Sequence, residues 1–312
     1  MVIQSNKLNS DRTDIRMLNL CAHSISREIY ALNSQQFVSG LYIVATPIGN
    51  LSDITLRALY VLTIADKVYC ENKHISQKLF ARYGIVRVLK NYHEHNAVNV
   101  RREILADISN GKRVALICDA GTPTISDPGF KLIATIIKAG YYVTSIPGPS
   151  AAITALTISG IPTDRFLFAG FLNSKSSARK KEIQMLAQVP TTLLFYEAPH
   201  RLCQMLADLI EYLGDRPAVL VRELTKKYEE CKRGLLSDLF EWAYNTPVRG
   251  EFTVVVAPPE NKEISDGAII KRLHQVLADI SLSKAAKQVA EEFNVSRKRV
   301  YSICLDLKHD QD

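Results

Sequence analysis

A strand that is apolar at every position must be covered on both faces, and that requirement limits what this chain can become. Leu41-Tyr42-Ile43-Val44-Ala45 is such a run, the pattern of a strand inside a parallel sheet with helices on either side. It leads straight into Thr46-Pro47-Ile48-Gly49-Asn50-Leu51-Ser52-Asp53, and helical spacing follows over 54–64 with Asp53 placed as the cap. The same succession of strand, bending loop and helix returns twice. Residues 114–118 break into Asp119-Ala120-Gly121-Thr122-Pro123-Thr124-Ile125-Ser126-Asp127-Pro128-Gly129 before a helix over 130–139. Residues 141–146 end in Pro147-Gly148-Pro149-Ser150, before a helix over 151–159 for which Ser150 is a good N-cap. Glycine and proline bend these loops, while Asp119, Thr122, Ser126 and Asp127 supply acceptors and hydroxyls. Open α/β sheets hold ligands at such loops, at the carboxyl ends of buried strands. Three of them together predict one shared pocket.

Between these loops, strands over 66–70 and 86–89 and helices over 76–83 and 98–109 complete an N-terminal α/β lobe, residues 40–150. After Gly160-Ile161-Pro162 the pattern changes. Strands over 166–171, 191–196, 217–222 and 252–257, with a helix over 199–213, make a C-terminal α/β lobe, residues 151–259. Arg222 to Glu230 reads as a charged loop, and Lys175 to Lys181 as a basic segment. Beyond Pro258-Pro259 and a polar linker over 260–266, residues 265–309 read as a small helical tail domain. Two of its helices meet at Asn294-Val295, a helix-turn-helix spacing that puts Arg297-Lys298-Arg299 at the start of the second. Residues 1–39 have no apolar stretch of the kind a secretory signal needs, and read as a poorly ordered extension.

The six cysteines are scattered without a CxxC pair, and the histidines have no ligand spacing. Both point to core thiols in a reduced cytosolic protein and to no metal site. No apolar run approaches the ~18–20 residues of a membrane span. A net charge of +7 suits a polyanionic partner without identifying one.

Five motifs, in this order, resemble those of the tetrapyrrole (corrin/porphyrin) methylases, a family of S-adenosylmethionine-dependent enzymes. They are Val44-Ala45-Thr46-Pro47-Ile48-Gly49-Asn50-Leu51, Asp119 to Pro123 with Ser126 to Gly129, Ile146 to Ala151, Phe195-Tyr196-Glu197-Ala198-Pro199-His200-Arg201, and Arg222-Glu223-Leu224-Thr225-Lys226. Thr46-Pro47-Ile48-Gly49-Asn50 is similar to the first loop of the branch that methylates ribose in small-subunit ribosomal RNA. Porphyrin and corrin methylases usually carry Gly-x-Gly-x-Gly-Asp there. The resemblance implies two α/β lobes with S-adenosylmethionine in the cleft between them, plus a helical appendage, in a homodimer. It also implies a cytidine 2′-hydroxyl of 16S rRNA, in the decoding region of the 30S subunit, as the acceptor. One departure is visible: Glu71-Asn72-Lys73-His74 stands where that branch commonly has Glu-Asp-Thr-Arg.

On this reading Pro47, Ile48, Gly49, Asp119, Ala120, Gly121, Thr122, Ser126, Asp127, Ser150 and Ala151 hold the donor, and Tyr196 closes from the second lobe. A general base would serve a weakly acidic ribose hydroxyl. Glu71, at a strand end on the cleft side, is the first candidate, and Glu197 and Glu223 come next, unless Glu197 merely pairs with Arg201. Lys175, Arg179, Lys180, Lys181, Arg201, Lys226, Lys227, Arg297, Lys298 and Arg299 are the candidate phosphate contacts, and Tyr92 or His93 could steady a base. Two other readings stay open: a methylase of a small tetrapyrrole-like acceptor, and a nucleic-acid-binding regulator that uses the tail.

Overall fold

The structure, a computed structural model, describes residues 20–34, 36–93, 96–260, 265–277, 280–293 and 295–309. The chain divides into two compact units on either side of Pro259. The first unit holds two five-stranded sheets. In one, strands β1 (Gly40–Val44), β2 (Lys67–Cys70), β3 (Leu89–Asn91), β4 (Arg113–Leu116) and β5 (Val143–Ile146) lie in the order β3-β2-β4-β1-β5. Every pairing in it is parallel. All five residues of β1 are buried. Tyr42 and Val44 pack into an apolar cluster on one face of the sheet, and Leu41 and Ile43 into a second on the other. That is the two-sided cover demanded by an uninterrupted apolar strand. Helices α1 (Leu56–Ile64), α2 (Lys73–Arg82), α3 (Ala97–Ser109) and α4 (Phe130–Lys138) provide it.

The other sheet is mixed. Strands β6 (Phe166–Phe171), β7 (Thr192–Glu197), β8 (Pro217–Arg222), β9 (Glu230–Leu235) and β10 (Phe252–Val256) take the order β6-β7-β10-β8-β9. Only β6 and β7 pair in parallel; β10 runs antiparallel to β7 and β8, and β9 to β8. Helices α6 (Ser176–Leu186), α7 (Leu202–Leu213) and α8 (Leu236–Asn245) cover one face over Leu193, Phe195, Leu220 and Val254. On the other face Leu194, Val219 and Val255 meet α5 (Ala151–Ser159) and Ile48 from the first sheet's leading loop. One apolar cluster thus joins the two sheets.

The second unit consists of α9 (Asp266–Val276), α10 (Leu282–Phe293) and α11 (Arg297–His309). Ala285, Ala286 and Val289 of α10 pack with Ile269, Leu273, Val300 and Cys304 in a core of their own.

Several elements differ from the sequence reading. The expected strand over 86–89 forms at Leu89–Asn91 instead, leaving Val86 and Val88 89% and 78% exposed. The charged loop expected from Arg222 to Glu230 forms over 223–229, and it is followed by β9, a charged edge strand that the sequence reading did not assign. Residues 20–31, expected to be poorly ordered, are helical. Thr55, not Asp53, caps α1, its Oγ1 accepting from the Ala58 N–H at 3.1 Å. Residues 1–19 of the extension, Glu94 and His95, residues 261–264 of the linker and Asn294 lie outside the described residues.

Candidate active site

Backbone and side-chain bonds tie the three sequence loops to one another at the carboxyl ends of β1, β4 and β5. Thr46 and Gly121 exchange N–H···O bonds of 2.8 and 3.0 Å, and the Thr122 hydroxyl donates to the Pro149 carbonyl at 3.2 Å. Gly121 turns at φ +80°, where an L side chain would be strained. Asp119 reaches the other way, Oδ1 accepting from the Asn72 N–H at 3.0 Å, and so fixes the exit of β2 beside that of β4. Asn72 is itself the N-cap of α2, its Oδ1 taking the His74 N–H. Asparagine caps as well as aspartate does, which accounts for the departure at this position.

The second sheet closes the space. Its residues Glu197, Arg222 and Phe252 lie abreast across β7, β8 and β10. Ser150 occupies the N-cap position of α5 but its side chain makes no cap bond. Instead the Tyr196 hydroxyl, from β7, accepts from the Ala152 N–H at 3.0 Å. The Tyr196 ring is held edge-on by Phe168, 4.8 Å between centroids. Gly49 is pressed against the loop after β8, so that a Cβ there would lie 2.5 Å from Lys226 Cγ.

Between the sheets is a cleft of about 480 Å³. Ile48, Glu71, Asp119, Ala120, Gly121, Thr122, Ser126, Asp127, Ser150 and Ala151 line it from the first side, and Tyr196 and Glu197 from the second. Pro47 is buried behind it, and Gly49 faces the Lys226 loop, so neither lines it. Sequence reasoning missed Ile125, Phe171, Val221, Leu224 and residues 250–253. The last group spans the start of β10, and the antiparallel run of that strand brings its beginning to the cleft.

The cleft is acidic. Burial pushes the Glu71 carboxyl above the usual range, and the charges of Asp119 and Asp127 push it further. Burial likewise raises Asp119 and Asp127, against a lowering hydrogen bond from Asn72 in the one case and Cys118 in the other. Glu197 is 2% exposed and also raised by burial. Its Oε1 accepts from the Ala198 N–H at 2.8 Å and faces Arg201 Nε at 3.3 Å, while Oε2 has no hydrogen-bond partner.

Residues 40–239 match the family model of the tetrapyrrole (corrin/porphyrin) methylases. The chain belongs to that family. It is 46% identical over 271 residues to ribosomal RNA small subunit methyltransferase I of Mesorhizobium japonicum, covering 86% of this chain and 92% of that protein. It is 40% identical over 283 residues to the Bacillus subtilis protein of the same name, covering 88% and 97%. Among solved structures, cobalt precorrin-4 methyltransferase superposes with a TM-score of 0.56 at 18% identity, over 70% of this chain and 94% of that one. Uroporphyrin-III C-methyltransferase of Thermus thermophilus, complexed with S-adenosylhomocysteine, gives 0.51 at 19% identity, over 70% and 97%. These two share the methylase fold with this chain.

The cations nominated for phosphate contact divide sharply on this methylase scaffold. Arg179 is 3% exposed, and its Nε donates to Asp208 Oδ2 at 2.6 Å, so it is a buried structural ion and not a surface contact. Arg201 turns inward to Glu197 and to the carbonyls of Leu172 and Asn173. Lys226 bridges Glu223 and Glu251, and Lys180 pairs with Glu211. In the tail, Arg299 pairs with Asp266 and Arg297 donates to Ser283. Lys175 and Lys298 are exposed. Tyr92, 2% exposed, belongs to the core of the first sheet.

Proposed function

We propose that this protein transfers a methyl group from S-adenosylmethionine to small-subunit ribosomal RNA. The acceptor in this reading is a cytidine ribose 2′-hydroxyl in the decoding region of 16S rRNA, presented by the 30S subunit to a cytoplasmic homodimer. The charge of the cleft carries the donor half of the reading. Glu71, Asp119, Asp127, Glu197 and Glu251 line it, and no lysine, arginine or histidine does among the described residues. S-adenosylmethionine is a net cation, and carboxylates crowded together in a partly buried cleft whose lining carries no cation gain from a positive ligand. A volume of about 480 Å³ suits a nucleoside-sized molecule. Glu197 Oε2, buried and unbonded within the protein, is an acceptor left for a ligand's N–H or O–H. The acceptor half is supported by the activity named for the relatives and by the Thr46–Asn50 loop.

Bound S-adenosylmethionine supplies a methyl group made electrophilic by its sulfonium. The protein's own part is to hold, orient and dry the site. The Thr46–Gly121 and Thr122–Pro149 bonds make the loops one rigid floor, and orientation of this kind can lower a barrier by up to ~7–11 kcal/mol. Ile48, Ala151, Val221, Leu224 and Phe252 give the cleft an apolar lining that excludes water. Glu71 takes the proton of the acceptor hydroxyl. Its raised pKa moves it toward the working pH, where a general base is worth about 10²–10⁴-fold. Lys175, Arg297 and Lys298 contact phosphates from exposed positions.

The test offers methyl-labelled donor to 30S subunits, protein-free 16S rRNA and a free precorrin side by side. Label on a cytidine ribose, from 30S or from bare rRNA, supports the reading; label on the tetrapyrrole alone overturns it.

A further inference from the structure

Beside the donor cleft, with Asp127 in the lining of both, lies a second cavity of about 380 Å³. It opens between the start of α4 and the first turns of α3, and its walls include Val98, Arg101, Phe130 and Lys131. Two large apolar side chains stand in solvent at its rim: Phe130 is 75% exposed and Val98 59%. Gathered at one cavity, the two form an exposed apolar patch of the kind that marks a binding site. Arg101 is laid along α3 by its Nε bond to the Ala97 carbonyl at 3.1 Å, and Lys131 is exposed next to Phe130. Among the described residues, Asp127 is the lone acid in this lining, against the cations Arg101 and Lys131. A bare ring beside two positive charges matches a base and its phosphate. An acidic peptide would use the cations but not the ring, and a second copy of the chain would use the ring but not the cations.

Position says which nucleotide. Asp127 lines the donor cleft together with Glu71, the proposed base, and lines the second cavity as well, so the cavity adjoins the place where that reading puts the acceptor ribose. We infer that this cavity holds a nucleotide flanking the methylated one, with its base on Phe130 and its phosphate between Arg101 and Lys131. The inference rests on the RNA reading above.

Full-length Phe130→Ala, Arg101→Gln and Lys131→Gln are compared with the unaltered protein. Three quantities are measured: anisotropy of a cytidine-containing single-stranded oligoribonucleotide, KM for 30S subunits, and calorimetric affinity for S-adenosylmethionine. Loss of a stacked base predicts about a tenfold weaker oligonucleotide affinity and a matching rise in KM for Phe130→Ala, with unchanged salt dependence. Each cation variant lowers the slope of log affinity against log salt by about one. Donor affinity stays the same in all three, and because Phe130 is exposed its removal leaves the core intact. Unchanged oligonucleotide affinity and KM in a protein that still methylates rRNA would overturn the cavity assignment and spare the function. So would a dimer that Phe130→Ala splits into monomers without loss of RNA affinity. An unaltered protein that neither binds nor methylates RNA overturns both.

Discussion

The two sheets of the first unit build one cleft by different rules. In the all-parallel sheet every carboxyl strand end lies on one side, so the exits of β1, β2, β4 and β5 arrive together and deliver Ile48, Glu71, Asp119–Asp127 and Ser150. In the mixed sheet β7 and β8 point to the cleft but β10 runs back from it. That sheet therefore presents Glu197 from a strand end and residues 250–253 from a strand beginning. Strand direction, and not order in the chain, decides which loops meet the ligand. The division of labour follows. The first sheet gives short polar groups on rigid turns, and the second an aromatic and apolar wall, with Tyr196 completing the cap of α5.

The largest expected effect tests whether the base belongs to the parallel sheet. Glu71→Gln is expected to slow single-turnover methyl transfer by about 10²–10⁴-fold with thermal stability unchanged; if Glu197→Gln is the slower variant instead, the base sits on the mixed sheet. Next comes the outer side of the mixed sheet, where the basic run on α6 holds both a buried ion and a surface one. Arg179→Ala removes the 2.6 Å partner of buried Asp208 and leaves it only the half-exposed Lys180 at 3.7 Å, and urea denaturation should show a loss of up to about 3–5 kcal/mol. Lys175→Ala should stay within about 0.5 kcal/mol, and equal losses would erase the distinction.

A smaller effect concerns the carboxyls that the two sheets pool. Burial holds the carboxyls of Glu71, Asp119, Asp127 and Glu197 above the usual range, so protons stay on the ligand-free cleft to higher pH than on free carboxylates, and a cationic donor displaces those still bound. Donor affinity should therefore rise with pH above the usual carboxylate range, at most about tenfold per pH unit for each proton released, and level off once all four are ionised. Calorimetry in buffers of different ionisation heat reads the proton release directly. A pH-independent affinity with no release would mean that these carboxyls do not face the donor. The smallest is Tyr196→Phe, which removes the acceptor of the Ala152 N–H and should cost about 1–2 kcal/mol in urea denaturation. No loss would show that Ser150 can cap α5 alone and that the second sheet does not finish the first sheet's helix.

Much of the cleft was legible because its signals are local. Gly121 and Pro149 mark turns, Asp119, Thr122 and Asp127 mark polar loops, and the apolar run before each marks the strand that ends there. The second wall was less so. Residues 250–253 look like the ordinary beginning of a strand until β10 is known to run antiparallel. Arg179 sits in a run of basic residues, and nothing near it in sequence announces Asp208, which is 29 residues away. β9 carries the alternating charges of an exposed edge, and Val86 and Val88 carry the apolarity of a strand without becoming one.

By itself the sequence determined where the chain bends, which strands are covered on both faces, and which short polar groups sit at their ends, since backbone preference and apolar patterning act over a few residues. Tertiary structure decided strand direction in the second sheet, the choice of Tyr196 over Ser150 as the cap acceptor, and which cations are buried and which face water. Those outcomes depend on partners far along the chain, and the energy of a hydrogen bond or ion pair is set by burial that only the assembled fold creates.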